Sequence, residues 1–467
     1  MVRSIHGKKA EGYFGPIVAS VPAFLTQIIA GVLEGEASIL AYQLLNDKDS
    51  PIVVNEDEIS WIACLGFVLT PVTAVLSKPL MDTFGRKCNL YLFFILSTFG
   101  FLSVSVASTS AHFFLGRTLS SAAYGLSFSS FAYVAEICAE GQRGQFLFAL
   151  SLMRPFGLLI VYSIGLFLPW SIASMAFVVM SHIGLLYVFH IPQSPTWLVN
   201  QSRFEEAAGS LKWLRNDHDS IELEIATMKT ANMDEEFQQK SGMAAFFRPN
   251  VFKPFLAFVT YAALQQATGL FVLLSYAHGF LGHFGTLYDP SNVLIAMAIC
   301  RILTIAVWNK LAKTLSLINL TSITAFGAGC AVFTAAACHV AYSDIGRSNE
   351  HGQIALVSLC VTYMLIGSGL DAQNVPVDLR TVFPQQVLGA ARAGIKATSY
   401  GLVFISLKFY PLILNTLGLS HFLFFLGASS FAFGLHVRYI IPKYMNKINT
   451  ESSESIHATT LQLTTYL

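Results

Sequence analysis

The sequence predicts an all-α membrane protein of twelve transmembrane helices in two six-helix bundles, joined by a helical linker. Three observations predict it. Hydrophobic residues make up 54% and charged residues 12% of 467, whereas a soluble globular chain carries about 25% charged residues. Twelve apolar runs each approach or exceed the roughly 17 to 25 residues that a helix needs to cross a bilayer. After the sixth, a polar stretch from Gln193 to Asn250 interrupts them.

The first six runs fall at 17–42, 59–79, 88–108, 112–137, 146–168 and 170–191, bounded by charges, Gly and Pro. The first follows a polar segment, Met1 to Gly15, and precedes further spans, so it reads as a retained helix rather than a cleaved signal. In the linker, Ser202-Arg-Phe-Glu205 has capping-box spacing ahead of Ala207, Ala208, Leu211 and Leu214, which predicts a short amphipathic helix there. The second six runs fall at 254–280, 291–312, 317–341, 353–377, 395–416 and 419–441. The expected units are therefore 1–192, the linker 193–250, 251–441, and a disordered tail 442–467 rich in Ser, Thr and Glu.

Loop charge sets the expected orientation. With both termini cytoplasmic, the external loops hold only Lys48 and Arg347 of the 28 Lys and Arg residues, as the positive-inside tendency requires. The Asn200 and Asn319 sequons then lie inside, and neither is expected to be glycosylated. The net charge of +1, spread along the chain, carries no nucleic-acid footprint. The seven cysteines lie mostly in apolar runs without a Cys-x-x-Cys pair and read as buried thiols; the histidines lack metal-ligand spacing. With no nucleophile-base set, phosphate loop or metal cluster, neither an enzyme nor a cofactor is expected.

Several short motifs carry a more specific message. Between spans two and three stands Pro79-Leu-Met-Asp82-Thr-Phe-Gly85-Arg86-Lys87, a charged turn in which Gly85 permits tight reversal at the membrane surface. Gly116-Arg117 opens span four; Tyr133-Val-Ala-Glu136 and Arg143-Gly144 close it. Pro192-Gln-Ser-Pro-Thr-Trp-Leu198 follows span six, and Gln265-Gln266-Ala-Thr-Gly269 lies in span seven. Together these resemble the sugar-porter branch of the major facilitator superfamily, particularly insect trehalose-transporter-like proteins, over roughly residues 17 to 441.

That resemblance implies alternating access, in which two bundles rock about a midplane site and each closed side needs a breakable lock. It implies that Asp82, Arg86, Arg117, Glu136 and Arg143 belong to the gating charge set, with Arg86, Glu136 and Arg143 as the cytoplasmic network; the alternative is that they only anchor helix ends. The second half departs from the pattern. It reads Asn309-Lys310-Leu-Ala312-Lys313-Thr314, Thr381-Val-Phe-Pro384 and Leu388-Gly389 where the family repeats its charged motifs, so the second lock is expected to be largely missing. Arg380 or Arg392 could substitute, with Asp378 the acid at suitable spacing.

By the same resemblance, sugar contacts fall on Gln265, Gln266, Ser151, Phe271, Met297, Ser399 and Tyr400, and on the segment Leu370 to Pro376. The expected partner is a small sugar-like solute. Several positions lack the amide or indole of the family, and each buried hydroxyl left unpaired costs about 1 to 3 kcal/mol. Gln265 and Gln266 could instead hydrogen-bond between helices. Glu34, Glu36, Arg154, Arg301, Asp371 and Lys408 are ionisable within spans, with Glu34 and Glu36 the possible proton site. Mutual neutralisation is the alternative, and Lys408 reads as structural. Three functions stay open: a passive carrier, a proton-coupled symporter, and a transport-poor sensor on the same scaffold, in a membrane expected to be the plasma membrane.

Overall fold

The computed structural model describes residues 14–46, 52, 54–215, 221–238, 246, 248–276, 279, 290–343, 379 and 382–445. The described elements are helical rods whose outer faces carry apolar side chains such as Phe99, Val179, Phe189, Leu303, Phe409 and Phe425. A rod apolar on both its packed and its open face is suited to lipid, not water.

Helix α1 (Phe14–Asn46) is one unbroken rod, longer at both ends than its apolar run. The second rod is not. It divides into α2 (Glu56–Leu65) and α3 (Thr70–Phe84), with Gly66 ending the first and Pro71 in the first turn of the second. After α4 (Arg86–Ser105), the fourth rod divides likewise into α5 (Ser110–Leu126) and α6 (Ser129–Ile137). Helices α7 (Glu140–Phe167) and α8 (Trp170–His190) complete the first group.

The linker contributes α9 (Pro195–Asn200), α10 (Phe204–Leu214) and α11 (Ile221–Gln238). Helix α10 buries Ala207, Ser210, Leu211 and Leu214, the face expected for it. Its start differs from the expectation: Arg203 is the N-cap, no side chain caps it, and Ser202 takes a positive φ of 58°. The Ser202 to Glu205 spacing therefore forms no capping box, because Ser202 is used to reverse the chain. A capping box does form where none was expected, at Asn55 and Glu58 ahead of α2.

In the second group, α12 (Pro249–Ala267) and α13 (Leu270–Ser275) are halves of a rod broken at Gly269. Then come α14 (Pro290–Leu311), α15 (Leu317–Ser343) and α16 (Gln385–Tyr439). The last bends at Gly418, whose φ of 78° and ψ of 163° separate two spans. The expected span 353–377 lies outside the described residues. Helix α1 packs along α7, and α16 along α12 and α15; between the groups, α14 meets α7 while α16 meets α2 and α3. Among the described cysteines all are free thiols, but only Cys64 and Cys138 are fully buried and Cys330 is exposed, so the expectation of buried thiols holds for part of the set.

Candidate functional site

The three broken rods determine where the site lies. Broken backbone inside a membrane must find polar partners within the protein, and α1 and α5 provide them. Gln27 donates through Nε2 to Ser127 O (2.9 Å) and Ser130 Oγ (2.8 Å) at the break between α5 and α6. Arg117 donates through Nε to Ile62 O (3.1 Å) just before the break between α2 and α3, and Ser121 accepts Leu69 N through Oγ at 3.1 Å. A Cβ at Gly66 would lie 2.1 Å from Arg117 Nη2, so a larger residue there would displace the guanidinium.

Each break turns an aromatic ring inward. Phe67, Phe128 and Phe271 come from the three breaks and meet Tyr124 of α5 and Tyr400 of α16. Tyr400 lies 5.6 Å from Tyr124, 5.7 Å from Phe128 and 6.3 Å from Phe271 between ring centres, and Phe67 sits 5.6 Å from Phe271. Phe271 and Tyr400, both expected site residues, thus stand together in a cluster shared by the two groups. Beside them Gln266 donates through Nε2 to Ser399 Oγ at 2.7 Å, which brings another expected pair together. Gln265 is half-buried on the same turn. Met297 is buried one turn before Arg301 on α14, whereas Ser151 spends its hydroxyl on Phe148 O of its own helix at 2.7 Å.

The buried charges form two separate groups. Glu36, 3% exposed, accepts from Arg117 Nη1 at 2.6 Å, and the same nitrogen reaches Leu33 O at 3.2 Å. Arg117, expected among the gating charges, is fully buried, and its guanidinium serves the broken second rod. Glu34 accepts from Tyr124 Oη at 2.6 Å and faces Arg154 Nη1 at 3.6 Å and Arg301 Nη1 at 3.3 Å. Since Glu34 is on α1 and Arg301 on α14, this pair joins the two groups. Arg154 also donates to Gln27 Oε1 at 3.1 Å and lies 5.3 Å above both Tyr124 and Phe128.

The surface network lies on the side of the linker. Arg86 Nε is 3.0 and 2.9 Å from the two oxygens of Glu136, and Ser194 also donates to that carboxylate. Asp82 lies 3.6 Å from Arg86 and 3.2 Å from Lys78, while its carbonyl accepts from Trp197 Nε1 at 3.0 Å. Gly85 turns with φ of 87°, where Gln193 accepts from Lys87 N at 3.2 Å. Arg143, expected in the same network, is exposed at the start of α7 and makes no side-chain contact with Glu136, whose oxygens Arg86 and Ser194 already occupy. Asp371, Asp378 and Arg380 lie outside the described residues.

Lys408, read from the sequence as structural, is held in an ion pair. From α16 it reaches Asp57 Oδ1 at 2.6 Å and Ser60 Oγ at 2.8 Å, with its ammonium 4.2 Å above the Trp61 ring. It joins the two groups on the side opposite the linker. Its partner was hidden from sequence reasoning because Asp57 precedes it by 351 positions.

Broken rods around a central polar and aromatic site, with charge networks on both sides, define a membrane carrier. The description "Sugar (and other) transporter" belongs to a family model that matches residues 20–445, and the chain is a member of that family. Human solute carrier family 2, facilitated glucose transporter member 6, is 26% identical over 404 residues, spanning 81% of this chain and 79% of that protein. Facilitated trehalose transporter Tret1 of Culex quinquefasciatus is 20% identical over 429 residues, covering 91% and 82%. The xylose transporter XylE from E. coli, in a partially occluded inward open conformation, superposes with a TM-score of 0.75 at 15% identity, covering 91% of this chain and 98% of that one. That likeness shows the major facilitator fold.

Proposed function

We propose that the protein carries a sugar or related polyol across the membrane by alternating access, without coupling to another solute. The observation that supports this reading is the Gln266 and Ser399 pair beside the ring cluster, at the level of the helix breaks. An amide and hydroxyl can pair with sugar hydroxyls, while ring faces cover the apolar C–H face of a pyranose. Gln266→Ala is expected to lower the counterflow of labelled sugar in proteoliposomes by about tenfold, as loss of one buried hydrogen bond implies. Uptake equal to that of the unmodified protein would place the site elsewhere.

Passive transport fits Glu34 and Glu36, each already paired with arginine. A second reading, proton-coupled symport, is favoured by one detail: Glu36 Oε1 is buried without a hydrogen-bond partner. An imposed pH gradient that drives solute uptake would select it. The charge asymmetry of the loops supports placing both termini and the linker in the cytosol, and we take the plasma membrane as the location.

In this reading the Arg86, Glu136 and Ser194 network and the Lys408 and Asp57 pair act in opposite senses. The first ties α4, α6 and the linker and supports closure of the cytosolic side; the second latches the outer side. Glu136→Gln is expected to shift the population toward the cytosol-open state by about tenfold, since the lost pair is half-buried and charge-assisted. Lys408→Gln should shift it the other way by less, because Asp57 is largely exposed. Spin labels at Gly144 and Lys313 would report both distances; movement in the same direction in the two variants contradicts the assignment.

A further inference from the structure

We propose that the linker-side end of the second bundle is a docking surface for anionic lipid headgroups, whose phosphates stand in for the acidic residues that its motifs lack. Where the family repeats its charged turn, this chain reads Asn309-Lys310-Leu-Ala312-Lys313-Thr314, which keeps cations and drops the acid. The loss extends across that end. Residues 248–257, 308–319 and 436–445 carry Arg248, Lys253, Lys310, Lys313, Arg438 and Lys443, and no Asp or Glu.

Packing gathers these segments. The turn after α14 is closed by Lys313 N donating to Lys310 O at 3.3 Å and Thr314 N to Leu311 O at 2.9 Å. Just past it, in the first turn of α15, Asn319 Oδ1 accepts from the Arg438 guanidinium of α16. On the other flank His436 Nε2 lies 2.9 Å from Ala257 O of α12, one helical turn beyond Lys253. The end of α16 is thus set between the starts of α12 and α15, and all six cations are exposed.

The first bundle uses its cations differently. Lys78 lies 3.2 Å from Asp82 and Arg86 2.9 Å from Glu136, while Lys87 donates to Ile191 O at 2.7 Å. Protein groups answer those charges. In the second bundle Lys253, Lys310, Lys313 and Lys443 meet no carboxylate among the described residues. The loop 378–394 and the tail after 445 add Asp378, Glu451 and Glu454 against Arg380, Arg392 and Lys447, which cancel in formal charge.

The surface is also apolar where it is basic. Phe252, Leu315, Leu317 and Tyr439 are exposed beside these cations, the mixture that suits the boundary between membrane and water. An acidic peptide would meet the charges and leave those side chains wet. A lipid satisfies both, its headgroup attracted to the Lys and Arg cluster and its acyl chains to the apolar residues. The inference uses the membrane placement of the fold and not the identity of the solute, so its failure would leave the carrier reading standing.

Trace spin-labelled phosphatidylglycerol and phosphatidylcholine, added separately to phosphatidylcholine vesicles holding the full-length protein, test the proposal through the fraction of each label immobilised at the protein. Phosphatidylglycerol is expected to associate about fivefold more strongly, as a cluster of cations near an anionic headgroup implies. Lys310→Gln, Lys313→Gln and Arg438→Gln combined should lower that preference to about twofold or less. Arg203→Gln, Lys212→Gln and Lys229→Gln combined, which remove as many charges from the linker, should leave it unchanged. Because the first triple variant could alter folding, the unmodified protein is also measured in concentrated salt, where screening should reduce the preference. Excess glycerol 3-phosphate at matched ionic strength should not reduce it; competition would reveal a site for soluble phosphate and overturn the lipid assignment. Equal association of the two lipids, or a preference undiminished by salt or by the first triple variant, would overturn the proposal.

Discussion

Glu34→Leu is expected to destabilise the folded protein by about 3 to 5 kcal/mol, the usual consequence of removing one partner from a buried ion pair. Glu34 is 1% exposed and is the only described carboxylate facing Arg154 and Arg301. Without it two guanidinium groups stay in the membrane interior with no counter-charge from α1, and Tyr124 Oη loses its acceptor at 2.6 Å. The removal also cuts a tie between the bundles. The apparent melting temperature in detergent should fall steeply, and Glu34→Leu combined with Arg301→Met should recover part of the loss, since fewer charges are then stranded. Glu34→Leu protein that melts with the unmodified profile would show that the three groups do not act as a unit.

Gly157→Val is expected to be the most disruptive substitution among the described glycines. A Cβ at Gly157 would lie 1.8 Å from Ile28 O, and one at Gly31 would lie 1.9 Å from Arg154 O. Both obstacles are backbone atoms, so no side chain can swing away. Helices α1 and α7 therefore pack backbone to backbone through small residues, as close helix pairs in membranes do. Valine at 157 would force them apart and move Gln27 and Glu34 away from Arg154. The cost should reach or exceed the about 1 to 3 kcal/mol typical of overpacking. Gly401→Val is the control, because a Cβ at 401 meets nothing within 4 Å. Equal yields of folded, monodisperse Gly157→Val and Gly401→Val protein would refute the packing argument.

Much of the architecture was legible in the sequence, because membrane-length apolar runs and charged turns are local properties. Asp82 to Lys87 announced its turn through Gly85, and the polar stretch after Gln193 stood out by composition. The helix breaks were less visible. An apolar run such as 59–79 looks the same whether continuous or broken at Gly66, and Arg117 and Ser121, arriving from α5, make the break tolerable. The Ser202 spacing misled for a related reason: local capping chemistry lost to a reversal that seats α10 beneath the bundle.

The site shows the same division. Residue type marked Gln266, Phe271, Ser399 and Tyr400 as suspects, and hydropathy marked Glu34, Glu36, Arg154, Arg301 and Lys408 as costly. Lys396, whose ammonium lies 3.7 Å from the centre of the Phe128 ring, drew no notice, although a basic residue eleven positions into a membrane helix was the available signal. What the chain alone determined was the count and order of apolar segments and the presence of charges among them, since these follow from transfer energies residue by residue. Which charges meet was decided only by the tertiary structure. Glu34 finds Arg301 at a separation of 267 positions and Asp57 finds Lys408 at 351, and pairing at such distances depends on how the rods pack, because a Coulomb interaction is set by separation in space and not along the chain.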